Sequence, residues 1–256
     1  MSEKTLETPL FDLENVFEVE DYLFAYGDDL THERTEAEIQ LLVKLLELDR
    51  PLKILDLACG FGRHANRLAA LGYKVTGIDF MPGFLKIARE EAREMGIQVD
   101  YRQGDMRQID FKGEYDRVTL LFTSFGYFED AENELVVQKM AQALKPGGLL
   151  LLDTMNRDTA MLHLSGDEVI EKDGGLLINR MSFDTLSGRF LNRRIVIRNG
   201  QRKDKPYSIR MYNAAEIGSL LERAGLVEFK MLGHDGQPLA ANNCRRLVAL
   251  ARKPLA

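Results

Sequence analysis

The chain has 256 residues but few cysteines, few histidines and no long apolar run. Its two cysteines, Cys59 and Cys244, exclude a disulfide scaffold and a zinc site with four cysteine ligands. The four histidines and the acidic residues show no metal-ligand spacing, so we predict no metal site. No apolar run reaches the ~20 residues that span a bilayer, and residues 1–10 lack the apolar stretch of a secretory signal. We therefore expect a cytoplasmic protein without a membrane segment.

Acidic and basic residues are segregated along the chain, although the net charge is only -6. Residues 1–38 contain 12 acidic and 2 basic side chains, whereas residues 180–210 contain nine basic and two acidic ones. The acidic balance argues against a protein that coats nucleic acid. Either the two segments form separate solvated faces, or the basic segment faces the acidic N-terminus or an anionic substrate.

Short apolar segments alternate with amphipathic ones over the first 153 residues, which predicts a parallel α/β sheet. The predicted strands are residues 53–57, 74–79, 97–102, 115–122 and 149–153. The predicted helices are 35–48, 63–71, 82–95 and 131–144, the first of them with a capping box made by Thr35 and Glu38. Near the C-terminus we expect a helix over 214–224, capped by Asn213, and two strands over 226–232 and 245–252.

Residues 168–212 lack a helical period and carry β-prone segments separated by turn residues. Ser187-Gly188 and Asn199-Gly200 are typical of hairpin turns. The pattern predicts antiparallel strands at about 176–183, 190–198 and 206–212, inserted between the fifth strand and the last helix.

The turn after the first predicted strand carries the strongest functional signal. Gly60 and Gly62 lie where the strand leads into a helix, so a ligand can lie against bare main chain there. The helix N-terminus suits a carboxylate or a phosphate. Asp79 ends the second strand, where an acid can accept both hydroxyl hydrogens of a ribose. These residues indicate a nucleoside-containing cofactor at the carboxyl ends of the strands.

A nicotinamide dinucleotide is one candidate, because Gly60-x-Gly62-x-x-Ala65 satisfies a loose dinucleotide pattern. Two acids favour another cofactor. Asp56 lies inside the first strand, where it can reach an ammonium group directly or through water. Asp105 follows the third strand, where it can accept a hydrogen bond from an adenine amino group.

Five segments, in this order and spacing, resemble the motifs of class I S-adenosylmethionine-dependent methyltransferases. They are Asp56-Leu-Ala-Cys-Gly-Phe-Gly62, Gly77-Ile-Asp79, Gly104-Asp105-Met106, Tyr115-Asp116 and Leu144-Lys-Pro-Gly-Gly148. The resemblance implies a Rossmann-like, doubly wound α/β fold. Its seven-stranded sheet would have an antiparallel last strand, helices on both faces and the inserted antiparallel segment.

The resemblance also implies roles for individual residues. The main chain at Ala58, Gly60 and Gly62 would lie along the methionine part of S-adenosylmethionine. The other implied contacts are Asp56 and the Leu121 carbonyl with the ammonium group, Asp79 with the ribose, and Phe80, Met81, Asp105 and Met106 with the adenine.

The acceptor side of the site is less marked in the sequence. Tyr127 follows the fourth strand and could orient an acceptor, and Tyr127 and His64 are the candidate catalytic residues. The candidate substrate-binding residues are Tyr26, Tyr127, Asn156, Arg210 and Tyr212. We divide the chain into an N-terminal lid (1–34), a core (35–167 and 213–256) and the insertion (168–212), which would cover the acceptor site or form a homodimer contact.

The sequence thus predicts methyl transfer to N, O or C of a small-molecule acceptor by in-line displacement, with S-adenosylhomocysteine as product. Such a reaction needs mainly positioning of the acceptor, and a general base only for some acceptors. Three alternatives stay open: an RNA or protein acceptor, an NAD-dependent oxidoreductase, and a cofactor-binding module without catalysis.

Overall fold

The apolar segments of the sequence form the central strands of a seven-stranded sheet in the computed structural model, which describes residues 12–164, 166–240 and 244–255. The strands are β1 (Lys53–Leu57), β2 (Lys74–Asp79), β3 (Asp100–Gln103), β4 (Tyr115–Leu120), β5 (Leu144–Met155), β10 (Val227–Gly233) and β11 (Arg246–Arg252). Their order across the sheet is β10-β11-β5-β4-β1-β2-β3.

Six of these strands run in one direction, and β11 lies antiparallel between β5 and β10. The predicted Rossmann-like sheet with an antiparallel last strand is therefore confirmed. Because successive side chains of a strand point to opposite faces, the apolar strands supply two cores. Leu55 and Leu57 pack into one core, and Ile54 packs into the other.

Helices cover both faces of the sheet. They are α1 (Leu13–Val16), α2 (Val19–Tyr26), α3 (His32–Leu45), α4 (Arg63–Ala70), α5 (Pro82–Glu94), α6 (Asp130–Ala143), α7 (Arg157–Leu162) and α8 (Ala214–Arg223). α3, α4 and α5 supply residues to one core, and α6 and α8 supply residues to the other. Asn213 caps α8, as predicted, and the structure shows a complete capping box there with Glu216.

The predicted start of α3 is wrong by three residues. The helix is capped by Thr31, whose hydroxyl accepts from the Arg34 N–H, and the Thr35 hydroxyl instead donates to the Thr31 carbonyl. Glu38 is consequently not part of a capping box and is free to enter the site described below. Strand β3 also begins later than predicted, and α1, α2 and α7 were not predicted.

The insertion forms a separate four-stranded antiparallel sheet, in the order β6-β7-β8-β9. Its strands are β6 (Asp167–Lys172), β7 (Gly175–Asp184), β8 (Arg189–Arg198) and β9 (Gln201–Arg210). The turns at Ser187-Gly188 and Asn199-Gly200 are present as predicted. β6 was not predicted, because this charged edge strand is exposed along most of its length and has no apolar alternation. β9 begins at the turn rather than at residue 206.

Helix α2 and its capping residue are held on this second sheet by ion pairs. Lys205 of β9 lies 2.8 Å from both Glu18 and Asp21, and the side chains of Lys205 and Asp21 are 1% and 3% exposed. Lys203 and Arg198 also contact Asp21, at 3.2 and 3.3 Å. The basic segment therefore faces the acidic N-terminal segment, which was one of the two interpretations of the charge pattern.

We predict that Lys205→Met destabilises the protein by about 3 kcal/mol. The buried Asp21 carboxylate would then be left with only Lys203 and Arg198 as cationic partners. In a protein of this size the melting temperature should fall by roughly 6–12 °C. Arg202→Met is the control, since the Arg202–Asp204 pair is exposed and its loss should leave the melting temperature almost unchanged. Equal melting temperatures for the two variants would contradict the buried-pair account.

Candidate active site

The turn between β1 and α4 exposes its main chain at the carboxyl end of the sheet. Ala58, Gly60 and Gly62 all adopt positive φ, at 49°, 56° and 81°. The space beside Gly60 is open, with no atom within 4 Å of where a Cβ would lie. The turn therefore presents unobstructed peptide groups to a cavity, next to the N-terminus of a helix.

Gly62 has a packing role that the sequence did not predict. A Cβ at this position would lie 2.2 Å from the Tyr101 hydroxyl and 2.8 Å from the Ala88 Cβ. Gly62 packs against β3 and α5 and does not line the cavity. Its main-chain contact with a ligand stays a prediction.

Asp79, at the end of β2, fixes the turn. Its two carboxylate oxygens accept from the Gly60 and Met81 N–H groups, each at 2.8 Å. Burial raises the pKa of Asp79, while the backbone hydrogen bonds act in the opposite direction. Each oxygen keeps a lone pair for another donor, so the carboxylate can still accept from a ligand hydroxyl.

A cavity lies over this turn and over the carboxyl ends of β1, β2 and β4. Ten of the residues predicted for the site line it: Ala58, Gly60, His64, Asp79, Phe80, Met81, Asp105, Met106, Leu121 and Tyr127. They come from four separate segments of the chain, so the fold brings together most of the predicted cofactor site. Which ligand atoms they contact stays a prediction.

Asp105 is already engaged by a neighbouring cation. Arg107 donates through its main chain and guanidinium to both carboxylate oxygens, at 2.6 to 3.1 Å. Burial opposes ionisation, but these hydrogen bonds outweigh it and hold the pKa of Asp105 below its usual value. An ionised Asp105 at the cavity wall can act only as an acceptor.

Asp56 lies beneath the cavity rather than in its lining. Its side chain is buried within β1 and accepts a 2.8 Å hydrogen bond from the Thr119 hydroxyl of β4. Burial raises the pKa of Asp56 to about 7, against the opposing effects of Thr119 and Arg63. Its predicted approach to an ammonium group, directly or through water, stays a prediction.

A buried charged cluster adjoins the cavity, centred on Glu38 of α3. Its carboxylate contacts Arg63 and His64 of α4 and Arg246 of β11, the last two at 2.9 and 3.0 Å. Burial opposes ionisation of Glu38, but bonds from His64 and Arg63 outweigh it and hold its pKa well below its usual value. Burial lowers the pKa of His64 to about 4. The neutral imidazole therefore donates its Nε2 proton to Glu38 at pH 7 and is unsuited to act as a base through that nitrogen.

Arg63 combines burial with an unused hydrogen-bonding group. Its Nη1 donates to Glu38 and to Thr35, whereas its Nη2 is buried and has no hydrogen-bond partner among the described residues. The side chain lines the cavity and stacks over the Phe122 ring at 4.8 Å. Leaving such a donor unpaired costs free energy, which indicates that an acceptor on a ligand belongs here.

The loop after β4 has a strained main chain beside Arg63. Phe122 and Thr123 adopt positive φ, at 54° and 60°. The Phe122 N–H donates to the Asp153 carboxylate at 2.9 Å, and the Thr123 N–H donates to the Asp153 carbonyl at 3.1 Å. β-branched and aromatic residues rarely adopt this conformation, and such strain is concentrated at functional sites.

Apolar residues from the N-terminal segment form one wall of the cavity, which we call the roof. The roof residues are Leu13, Phe17, Tyr22 and Leu30. The Tyr22 ring meets Phe84 of α5 edge-on at 5.1 Å, and the Phe17 ring meets Tyr127 at 5.5 Å. No described residue of 168–212 lines this cavity, so the second sheet supports the roof instead of forming it.

Four predicted substrate-binding residues lie outside the cavity lining. The Asn156 amide caps α7 and donates to the Cys244 carbonyl and to Thr159. Arg210 binds Glu216, and the Tyr212 hydroxyl contacts Asn133 and Asp130. These three side chains make structural contacts, and their predicted contacts with a substrate stay predictions. The Tyr26 ring does not line the cavity but packs against the ring of Tyr22, which does, with 4.9 Å between the ring centres.

Glu38, Arg63 and Phe122 were not predicted from the sequence, whereas the roof residues Phe17 and Tyr22 belong to the predicted N-terminal lid but were not among the predicted site residues. Arg63 directly follows Gly62 at the N-terminus of a predicted helix. This position beside the predicted cofactor site was the sequence feature that could have identified it as a site residue. The partners Glu38 and Arg246 come from distant segments and gave no signal.

Within residues 12–164, 166–240 and 244–255, every helix is too short or too polar to span a bilayer. In the same part of the chain, no group of three or more His, Cys, Asp or Glu side chains could hold a metal ion.

Comparison with known proteins shows similarity over the first part of the sheet. Residues 54–148 match the family model described as a methyltransferase domain. Over 115 residues the chain is 36% identical to a ubiquinone biosynthesis O-methyltransferase of Xanthomonas euvesicatoria pv. vesicatoria (strain 85-10). The match covers 44% of this chain and 47% of that protein, so the chain matches about half the length of this relative.

Solved structures share the whole fold. An S-adenosylmethionine-dependent methyltransferase from Clostridium acetobutylicum ATCC 824 superposes with a TM-score of 0.74 at 16% identity, over 92% of this chain and 97% of that one. The sugar N-methyltransferase KedS8 from Streptoalloteichus sp ATCC 53650 gives a TM-score of 0.69 at 21% identity, over 99% and 98%. The chain thus has the Rossmann-like methyltransferase fold, including the second sheet.

The pKa of Asp56 generates a pH prediction. Because the folded pKa of about 7 exceeds the usual value near 4, the folded state holds an extra proton between these pH values. The contribution of Asp56 to the free energy of unfolding should therefore fall as pH rises through this window, by up to about 1.4 kcal/mol per pH unit. The free energy of unfolding should be measured in urea from pH 4.5 to 8.5. Relative to Asp56→Asn, that of wild type should fall as pH rises to about 7, and above this pH the two curves should run parallel.

The exposed Asp110→Asn variant is the control and should track wild type throughout. If Asp56→Asn also tracks wild type at every pH, Asp56 is ionised across the range and the raised pKa is wrong.

Proposed function

We propose that the protein transfers a methyl group from S-adenosylmethionine to a small-molecule acceptor. The observation that carries the proposal is the group of donors and acceptors around one cavity: open peptide groups at Gly60, the Asp79 carboxylate and the unpaired Nη2 of buried Arg63. The peptide groups can hydrogen-bond to polar atoms of a ligand, the Asp79 carboxylate can accept from its hydroxyls, and the Arg63 guanidinium can donate to its carboxylate. A nucleoside that carries an amino acid has all of these groups. The methyltransferase family match over residues 54–148 supports the same activity.

Each end of the cofactor has candidate contacts in the cavity. Asp79 would accept from the ribose hydroxyls, and Phe80, Met81, Asp105 and Met106 would surround the adenine. Ala58, Gly60 and Leu121 would lie along the methionine part. We add Arg63, whose free Nη2 would donate to the carboxylate of the amino-acid tail.

The chemistry demands little of the protein beyond positioning. S-adenosylmethionine supplies an activated methyl group on a sulfonium. The roof residues Phe17 and Tyr22 and the wall residue Tyr127 would hold the acceptor in line and exclude water, which can contribute on the order of 7–11 kcal/mol. Burial keeps the Tyr127 phenol protonated by raising its pKa well above the usual value, so it would orient the acceptor by hydrogen bonding.

A small acceptor fits a cavity that is roofed by the protein's own N-terminal segment. The O- and N-methyltransferase names of the compared proteins, with ubiquinone biosynthesis and sugars as contexts, support a small molecule over RNA or protein. The two free cysteines support a cytoplasmic setting. The division into lid, core and insertion, and a possible homodimer, stay predictions.

Replacing Asp79 tests the ribose contact. Asp79→Ala should weaken the binding of S-adenosylhomocysteine at least tenfold, about 1.4 kcal/mol, in calorimetric titration. Asp79→Asn keeps an acceptor for the Gly60 N–H and should lose less. Unchanged affinity in a folded Asp79→Ala variant would show that the ribose lies elsewhere.

Replacing Arg63 tests the tail contact. Arg63→Met should weaken S-adenosylhomocysteine at least tenfold but leave 5′-methylthioadenosine, which lacks the amino-acid tail, within twofold. Arg67→Met, one turn along α4 and outside the cavity lining, should affect neither ligand. Equal losses for both ligands would mean that Arg63 only supports the fold of the site.

A further inference from the structure

The charged side chains that line the cavity are all assigned to the cofactor. Among the described residues, the lysine, arginine, aspartate and glutamate side chains of the lining are Arg63, Asp79 and Asp105. The proposed function gives them to the amino-acid tail, the ribose and the adenine in turn. His64 also lines the cavity, but burial lowers its pKa to about 4, so it is neutral at pH 7. No ionised side chain of the described lining is therefore left to recognise the acceptor.

The N-terminal segment keeps its acidic residues out of the cavity. Residues 12–34 contain eight acidic side chains, yet what they contribute to the lining is the four roof residues, none of them charged. Glu18 and Asp21 of this segment instead contact Lys205 of the second sheet, each at 2.8 Å. A segment rich in charge thus presents apolar and aromatic side chains to the acceptor.

Aromatic rings make up much of the remaining lining. The Phe17 ring meets Tyr127 edge-on, with 73° between the ring planes. Phe84 likewise meets Tyr22 at 69° and Phe61 at 61°, and all five rings line the cavity. Such side chains bind flat rings well, because a ring buries much apolar area and can stack on them or meet them edge-on.

The polar side chains left in the lining are few and neutral. Besides the His64 imidazole and the Cys59 thiol, they are the hydroxyls of Tyr22, Ser124 and Tyr127. Burial raises the pKa of both phenols, so they stay protonated at pH 7. An ionised acceptor would lose its hydration here without gaining a counter-charge, which is costly. A sugar would find few partners for its many hydroxyls.

We infer that the acceptor is a neutral aromatic molecule that offers a hydroxyl or amino group to the methyl. This inference rests on the proposed function and narrows its substrate class. The acceptor's oxygen or nitrogen would form a bond to the methyl carbon as the carbon–sulfur bond breaks. The electron pair of that bond stays on sulfur, and the acceptor's proton passes to water. Removal of the ring from water supplies the affinity and needs no counter-charge.

The test titrates matched probes into the protein saturated with S-adenosylhomocysteine. Methyl 4-hydroxybenzoate and 4-hydroxybenzoate differ mainly in charge, whereas 4-methylphenol and 4-methylcyclohexanol share a hydroxyl but not the aromatic ring. In calorimetric titration the neutral ester should bind roughly tenfold or more tightly than the anion, which must be desolvated. The phenol should bind roughly threefold or more tightly than the cyclohexanol, and glucosamine should bind more weakly than either.

Two lysine substitutions in the N-terminal segment give a matched comparison. Leu13 lines the cavity, whereas Leu23 is 36% exposed and lies outside the lining. Leu13→Lys places a cation in the roof and should shift the ratio of the two benzoate affinities roughly tenfold towards the anion. Leu23→Lys should leave this ratio as it is in wild type. Phe17→Leu keeps the roof apolar but removes a ring, so it should reduce the preference for the phenol over the cyclohexanol.

The outcomes separate this inference from the proposed function. The inference is overturned if the loaded wild-type protein binds none of the probes, prefers the anion or glucosamine, or does not distinguish the members of each pair. A ratio that changes equally in Leu13→Lys and Leu23→Lys would also contradict it. Failure of wild type to bind S-adenosylhomocysteine at all would instead overturn the proposed function.

Discussion

One buried carboxylate sets the geometry on which the candidate site depends. Asp79 accepts from the main chain of Gly60 and of Met81 at 2.8 Å each, and so joins the turn after β1 to the turn after β2. With the turn fixed, the main chain at Gly60 stays open to the cavity, and Arg63 begins α4 with its guanidinium at the cavity wall. The same carboxylate thus shapes the site and is available to a ligand.

Ion pairs with the second sheet hold the N-terminal segment that forms the roof. Glu18 and Asp21 of the N-terminal segment are held by Lys203 and Lys205 of β9, deep enough that the Lys205–Asp21 pair is almost fully excluded from water. Buried ion pairs contribute little net stability but strongly disfavour arrangements that separate the partners. The second sheet therefore fixes the position of Tyr22 and Phe17 without lining the cavity.

The central sheet was predictable because its information is local. Continuous apolar runs such as 149–153 mark buried parallel strands, and glycines mark the turns between strand and helix. The start of α3 was not predicted correctly, because Thr31 and Thr35 are both suitable caps and tertiary packing decides between them. The Glu38 cluster could not be found from sequence, since α3, α4 and β11 meet only in the fold. Asn156, Arg210 and Tyr212 lie near strand ends in the sequence, but their side chains bind neighbouring structural groups outside the cavity lining, which the sequence did not indicate.

The structure of a complex with S-adenosylhomocysteine tests the central claim most directly. The account predicts that the ribose hydroxyls lie within hydrogen-bond distance of Asp79 and that the tail carboxylate accepts from Arg63 Nη2, beneath Phe17 and Tyr22. A ligand bound away from the β1–α4 turn, or with its tail turned away from Arg63 towards solvent, would contradict it.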